Sequence, residues 1–185
     1  MDLSEIVARY DDELRTSDFA DVDASANGLQ VGPDDREVET VAFAVDAAEQ
    51  TIEAAADRGA DLLVTHHGLS WGGIERVTGR QYDRIAPLIE NDVALYVSHL
   101  PLDGHQRLGN AAGIADLLGL ESREPFGELG PEHVGQRGTA PDPIPTDRLR
   151  ETLEEKLDHF GQGLRVLDFG PEEIEDVAIL TGSGV

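Results

Sequence analysis

The feature that most constrains this chain is a pair of short apolar runs, each ending in imidazole. Asp61-Leu62-Leu63-Val64-Thr65 follows Gly59, leads directly into His66-His67 and is closed by the glycine-rich stretch Gly68-Leu69-Ser70-Trp71-Gly72-Gly73. The second run, Val93-Ala94-Leu95-Tyr96-Val97-Ser98, leads into His99-Leu100-Pro101-Leu102-Asp103-Gly104-His105. Runs this short and this apolar read as buried strands. Strand and helix patterns alternate around them, which predicts an α/β fold with mainly parallel sheets flanked by helices. In such a fold, ligands and catalytic groups gather at the carboxyl ends of the strands, where both sets of histidines fall.

The rest of the chain fits that frame. Leu3, Ile6, Val7, Tyr10 and Leu14 share one helical face, and Asp2 with Glu5 predicts a capping box. Asn27-Gly28-Leu29-Gln30-Val31-Gly32 reads as a sharp turn in which Asn27 bonds neighbouring backbone. Val38 to Val45 predicts a strand ending at Asp46, and the alanine-rich segment from Ala47 to Arg58 a helix stopped by Gly59. A further helix is expected between Gly79 and Glu90, with Pro87 weakening its middle, and a short one through Ala115 to Leu118 closed by Gly119.

Composition shifts near Ser122: five of the 9 prolines lie between Pro125 and Pro145. This places a first lobe at 1–122 and a second at 123–185. In the second, Val134 to Thr139 predicts a strand, and Thr146 caps a helix carrying Leu149, Leu153 and Leu157 on one face. Strands are expected over Leu164 to Phe169 and Asp176 to Thr181. The glycine turn Gly182-Ser183-Gly184 would ordinarily lead into a helix, so the second lobe is expected to be incomplete.

Charge and composition exclude several classes of function. Asp plus Glu number 38 against 14 Lys plus Arg, giving a net charge of -24, and Lys156 is the sole lysine. Such a surface disfavours nucleic acid and anionic membrane as partners. It suits a salt-rich cytoplasm, because at molar salt the screening length falls to about 3 Å and the repulsion is damped. No apolar run approaches the roughly 20 residues that a membrane-spanning helix needs. With no cysteine, thiolate metal sites and cysteine nucleophiles are excluded, and metal binding is left to imidazole and carboxylate.

Consecutive strand residues point to opposite sides, so His66 and His67 are not expected to share one ion unless the chain turns between them. Two divalent ions about 3.5 to 4 Å apart, bridged by a carboxylate such as Asp103, resolve the difficulty and suit hydrolysis by bound water. His99 and Asp46 are candidates for further ligands or for fixing an imidazole's tautomer. Each piece also has a plainer reading: His66-His67 as surface turn, Asp103-Gly104 as turn former, His99 as a buried histidine, Asp46 as a helix cap. His105, His133 and His159 read as structural or exposed. Gly68-Leu69-Ser70-Trp71-Gly72 fits the G-x-S-x-G pattern of serine hydrolases, but the histidines before it and the glycines after it make a poor strand-to-helix elbow. Gly182 to Gly184 reads as a plain turn before it reads as a phosphate loop.

Taken in order, Asn27 to Gly32, Thr65-His66-His67-Gly68 with Trp71, His99-Leu100-Pro101-Leu102-Asp103 with Gly109-Asn110, and Thr181 to Gly184 resemble the GTP cyclohydrolase I type 2 homologues, or NIF-three-like dinuclear-metal proteins. The resemblance implies two similar α/β lobes, a ring-shaped homohexamer with metal sites facing an inner cavity, and His66, His67 and Asp103 as metal ligands. It further implies a histidine and a glutamate from a segment beyond the glycine turn, which this sequence does not reach. The expectations are therefore a metal-dependent hydrolase of a nucleotide or related small molecule, or a non-catalytic metal-binding or assembly protein of the same fold. The donor types suit zinc, iron, manganese or nickel.

Overall fold

Parallel strands buried on both faces need apolar side chains at every position, and the strand before His99 has them. In the computed structural model, which describes residues 1–33, 35–157 and 161–182, that strand is buried at all four positions. The chain forms two units, Met1–His105 with Leu129–Glu132, and Gln106–Glu128 with His133–Val185. The boundary expected at Ser122 falls inside a strand of the second unit. His159, Ser183 and Gly184 lie outside the described residues.

The first unit comprises α1 (Leu3–Leu14), a 3-10 turn (Thr16–Phe19), β1 (Gly28–Val31), β2 (Val41–Asp46), α2 (Glu49–Asp57), β3 (Leu62–His67), α3 (Arg80–Glu90), β4 (Ala94–Val97) and a single turn, α4 (Leu100–Asp103). Its sheet runs β1-β4-β3-β2, with β2, β3 and β4 parallel and β1 antiparallel to β4. Alternation along the strands sorts the core. Leu63, Leu95 and Val97 pack with Ile52, Ala55 and Leu88 on one face, while Leu62, Ala94 and Tyr96 pack with Leu3 and Ile6 on the other. Gly59 takes φ 68 and closes α2, its amide reaching the Ala56 carbonyl at 2.9 Å.

Three local expectations change. The stretch from Gly28 is strand β1, since pairing with β4 outweighs its turn-like glycines. Helix α3 continues through Pro87 and loses only the bond that the missing N–H would have made. Asp2 makes no side-chain cap on α1; the backbone is fixed instead by the Leu3 amide donating to the Arg36 carbonyl at 2.8 Å.

The second unit holds α5 (Asn110–Leu117), β5 (Glu121–Leu129, apart from its last residue), β6 (Glu132–Pro145, from His133), α6 (Thr146–Lys156) and β7 (Glu173–Leu180). The sheet order is β5-β6-β7, and β6 pairs antiparallel with β7. A two-residue turn, Gly130-Pro131, separates β5 from β6, too short for the crossover that a parallel pair requires. Ala111, Ala115 and Leu120 pack with Ala140 and Ile179. A Cβ on Gly135 would lie 2.2 Å from the Ile179 carbonyl oxygen, so glycine permits the close approach of β7.

Sequence patterning misleads at two points here. Leu164 to Phe169 forms no strand, and most of it is exposed. Thr146 opens α6 rather than capping it, its hydroxyl donating to the carbonyls of Pro171 and Glu172 at 3.3 Å. The α/β class holds, with a mixed, mainly parallel sheet in the first unit and an antiparallel one in the second. Among the described residues no helix is long and apolar enough to cross a membrane.

Candidate metal centre

The site is built where β3 and β4 end. Register places Asp46 of β2 beside His67 of β3, and the imidazole Nδ1 meets Asp46 Oδ1 at 2.7 Å. His66 Nδ1 lies 3.0 Å from the Ser98 carbonyl oxygen, just past β4. His99 Nδ1 lies 2.9 and 3.1 Å from the two oxygens of Asp23. A carbonyl or an ionised carboxylate can only accept, so each Nδ1 carries a proton, and in the neutral ring Nε2 is the nitrogen with the lone pair. This is the tautomer of a histidine that ligates through Nε2.

The three imidazoles converge. Each offers a ligand atom, and these atoms lie within 4.8 Å of one another. The ring centroids of His66 and His67 are 4.6 Å apart, and His99 stands 5.0 and 5.7 Å from them. Strand alternation predicts that adjacent side chains diverge; His66 and His67 are the last two residues of β3, and their contacts with the Ser98 carbonyl and Asp46 hold the rings 4.6 Å apart. Asp103 is 2% exposed at the end of α4, its Oδ2 3.7 Å from His66 Nε2. The donor set of three imidazole nitrogens and a carboxylate suits a borderline divalent cation.

Electrostatics keep the site poised. Burial pushes the His66 pKa down, outweighing the attraction of Asp103 and the Ser98 carbonyl, and neighbouring His67 and His99 add to the depression. Burial works the other way on Asp23, yet hydrogen bonds from Asn27, Ser25, His99 and Leu100 hold its carboxyl below the ordinary range. Those donors are the Ser25 amide at 2.9 Å, Asn27 Nδ2 at 2.8 Å and the Leu100 amide at 3.0 Å, besides the imidazole.

The Asn27 to Gly32 stretch thus has two long-range tasks. Asn27 Oδ1 accepts the His99 amide at 2.7 Å, and Gln30 Oε1 accepts the Leu69 amide at 3.0 Å. A Cβ on Gly68 would come within 2.5 Å of Gln30 Nε2, so glycine there lets the glutamine strap the loop after His67. Trp71 then covers the cluster, its ring edge-on to His99 at 4.7 Å and 5.9 Å from His67.

Of the three residues singled out as ligands, His66 and His67 stand in the cluster and Asp103 borders it beside His66. Sequence reasoning left His99 among several roles, and nothing in the local sequence marks Asp23, whose partner lies 76 residues away. His105 points elsewhere, its Nε2 3.1 Å from the Glu13 carbonyl oxygen. Ser70 is followed by a bridge and loop before α3 opens at Arg80, so the strand-serine-helix elbow of a serine hydrolase does not form.

The class that the fold and site define is a mixed α/β protein whose strand ends bring three histidines close enough that they could hold a metal ion. The profile of the Duf34/NIF3 (NGG1p interacting factor 3) family matches residues 1–185, and the chain belongs to that family. It is 55% identical over 184 residues to the "GTP cyclohydrolase 1 type 2 homolog" of Halobacterium salinarum, covering 100% of this chain and 72% of the relative. The protein of the same name from Pyrococcus abyssi is 41% identical, with 100% and 72% covered. Among solved structures, a protein from Thermus thermophilus matches with a TM-score of 0.85 and 34% identity, over 100% of this chain and 72% of that one.

Proposed function

We propose that the chain is a metal-dependent hydrolase of a nucleotide or a related small molecule, with His66, His67 and Asp103 as ligands to two divalent ions and His99 as a further ligand. The observation that carries this reading is the common anchoring of three imidazoles through Nδ1, with one ligand atom of each ring within 4.8 Å of the others. Bound divalent ions supply Lewis-acid polarisation and acidify water. The chain's own groups do the rest: Asp46, Asp23 and the Ser98 carbonyl fix the imidazole orientations, and Trp71 shields one flank from bulk water. A nucleotide substrate accords with the cyclohydrolase name borne by the relatives.

A second reading, a non-catalytic metal-binding or assembly protein, draws support from the position of Asp103. Its carboxylate stands 3.7 Å from His66 Nε2 and outside the compact group, so that group is all imidazole, a set that holds an ion without a general base. A homohexamer in a salt-rich cytoplasm belongs to the same proposal, resting on the family resemblance and the acid-rich composition; light scattering in high salt tests it. The deciding experiment loads the purified protein with zinc, iron, manganese or nickel and assays a nucleotide panel beside metal content. Turnover that tracks metal supports the hydrolase; stoichiometric metal without turnover supports the binder.

A further inference from the structure

A cleft of about 720 Å³ opens beside the cluster, within the size range of small-molecule sites. We propose that this cleft binds the substrate and that it selects a planar ring carrying an anionic oxygen group, a phosphate or a carboxylate. The inference rests on the cluster being the reaction centre, because His67 and Trp71 belong to both the cluster and the cleft.

Trp71 supplies the ring surface. It is the only tryptophan in the chain and is 55% exposed, so that much of the indole surface is open to a ligand. Its position is nevertheless fixed. The backbone forms a bridge with Ser25, the next amide donates to the Ala24 carbonyl at 2.8 Å, and the indole abuts His99. A fixed, half-open indole is a stacking platform for a flat ligand.

Arg80 and Arg84, one helical turn apart on α3, also line the cleft. The chain has 14 basic residues against 38 acidic ones, yet among the described residues neither arginine enters an ion pair. Arg84 donates to neutral acceptors, the Leu69 carbonyl at 2.6 Å, the Ala47 carbonyl at 3.4 Å and Gln81 Oε1 at 2.5 Å. Burial and the charge of Arg80 both lower its pKa. Arg80 is the first residue of α3, where the helix dipole disfavours a cation. Two acids, Asp46 and Glu49, line the same cleft as the two guanidinium groups, and Asp46 Oδ1 also accepts from His67 Nδ1. At the start of α2, Ala48 offers no side-chain cap, so the amides that follow have no side-chain acceptor there.

The test is calorimetric titration of the purified protein with two pairs of probes, GMP against guanosine and orotate against uracil. At least one anionic probe is expected to bind about tenfold or more tighter than its neutral counterpart, the scale of a charge-assisted hydrogen bond. GMP alone, orotate alone or both assign the group as phosphate, carboxylate or either, and each supports the proposal. Arg80→Ala is expected to abolish the preference while melting as the parent does and loading the same amount of metal. Equal binding within both pairs, or a preference that survives Arg80→Ala, overturns it. Preference without turnover removes the hydrolase and leaves the cleft as a ligand site of the stated selectivity, whereas turnover without preference removes this inference alone.

Discussion

The two sheets use the same alphabet for different ends. In the first unit, β4 is buried at all four positions and β3 at three of its six, and both faces of the sheet are packed. In the second, β5 and β7 are mostly exposed or half-exposed, and no residue of α6 is buried. The candidate metal centre sits on the first kind of framework. A position fixed on both sides by close packing holds a ligating imidazole to a few tenths of an ångström, and a half-open sheet gives less support.

That contrast can be broken by substitution. Leu95 is fully buried in β4, and Leu95→Ala should cost about 2 to 5 kcal/mol in chemical denaturation. A cost near zero would mean that the first sheet is no better packed than the second. Next in size, Asp23→Asn puts an amide donor among the donors that Asp23 now accepts, releasing His99. Metal affinity by calorimetry should fall roughly 10- to 100-fold. Unchanged affinity would show that His99 is held by the fold without help from its carboxylate.

Asp61 joins the starts of β2 and β3. Its Oδ2 accepts the amides of Glu39 and Thr40, each at 2.9 Å, and its Oδ1 accepts from Arg36 at 3.2 Å. Asp61→Ala should cost about 1 to 2 kcal/mol. The Thr40 and Glu39 amides, with the Arg36 charge adding to them, hold the Asp61 carboxyl below its ordinary value. The stability it lends is therefore complete above an ordinary Asp pKa of about 3.9 and is lost as pH falls through the depressed native value. Acid melts of parent and variant should converge over that window; a constant gap down to lower pH would contradict the assignment. Smallest of all, Leu149→Ala on α6 should change stability by no more than about 0.5 kcal/mol. A larger loss would show that α6 is buried in solution by something further.

The same contrast explains what the sequence revealed. Leu62-Leu63-Val64 and Ala94 to Val97 are legible as strands because burial on both faces leaves an uninterrupted apolar run. Leu164 to Phe169, apolar apart from Arg165 and Asp168, forms no strand, while Glu121–Leu129, with its charges and a proline, does. Pairing across a short turn decides those cases, and local apolarity carries no trace of it. At the site, strand-end logic finds His66 and His67 and brings Asp103 near. It leaves His99 ambiguous, since its role depends on Asp23, a loop residue with no pattern of its own. Asn27 was legible as a backbone-bonding residue, but its partner, the amide of His99, is visible only in three dimensions.

The central claim is that the imidazoles at the ends of β3 and β4 act as one ligand set. Its most direct test is calorimetric titration of chelator-stripped protein with zinc, comparing the parent with His66→Ala, His67→Ala and His99→Ala. The account predicts stoichiometric binding by the parent and a loss of more than about a hundredfold in affinity for each variant, with native circular dichroism retained. Parent-like zinc binding by all three variants would contradict it.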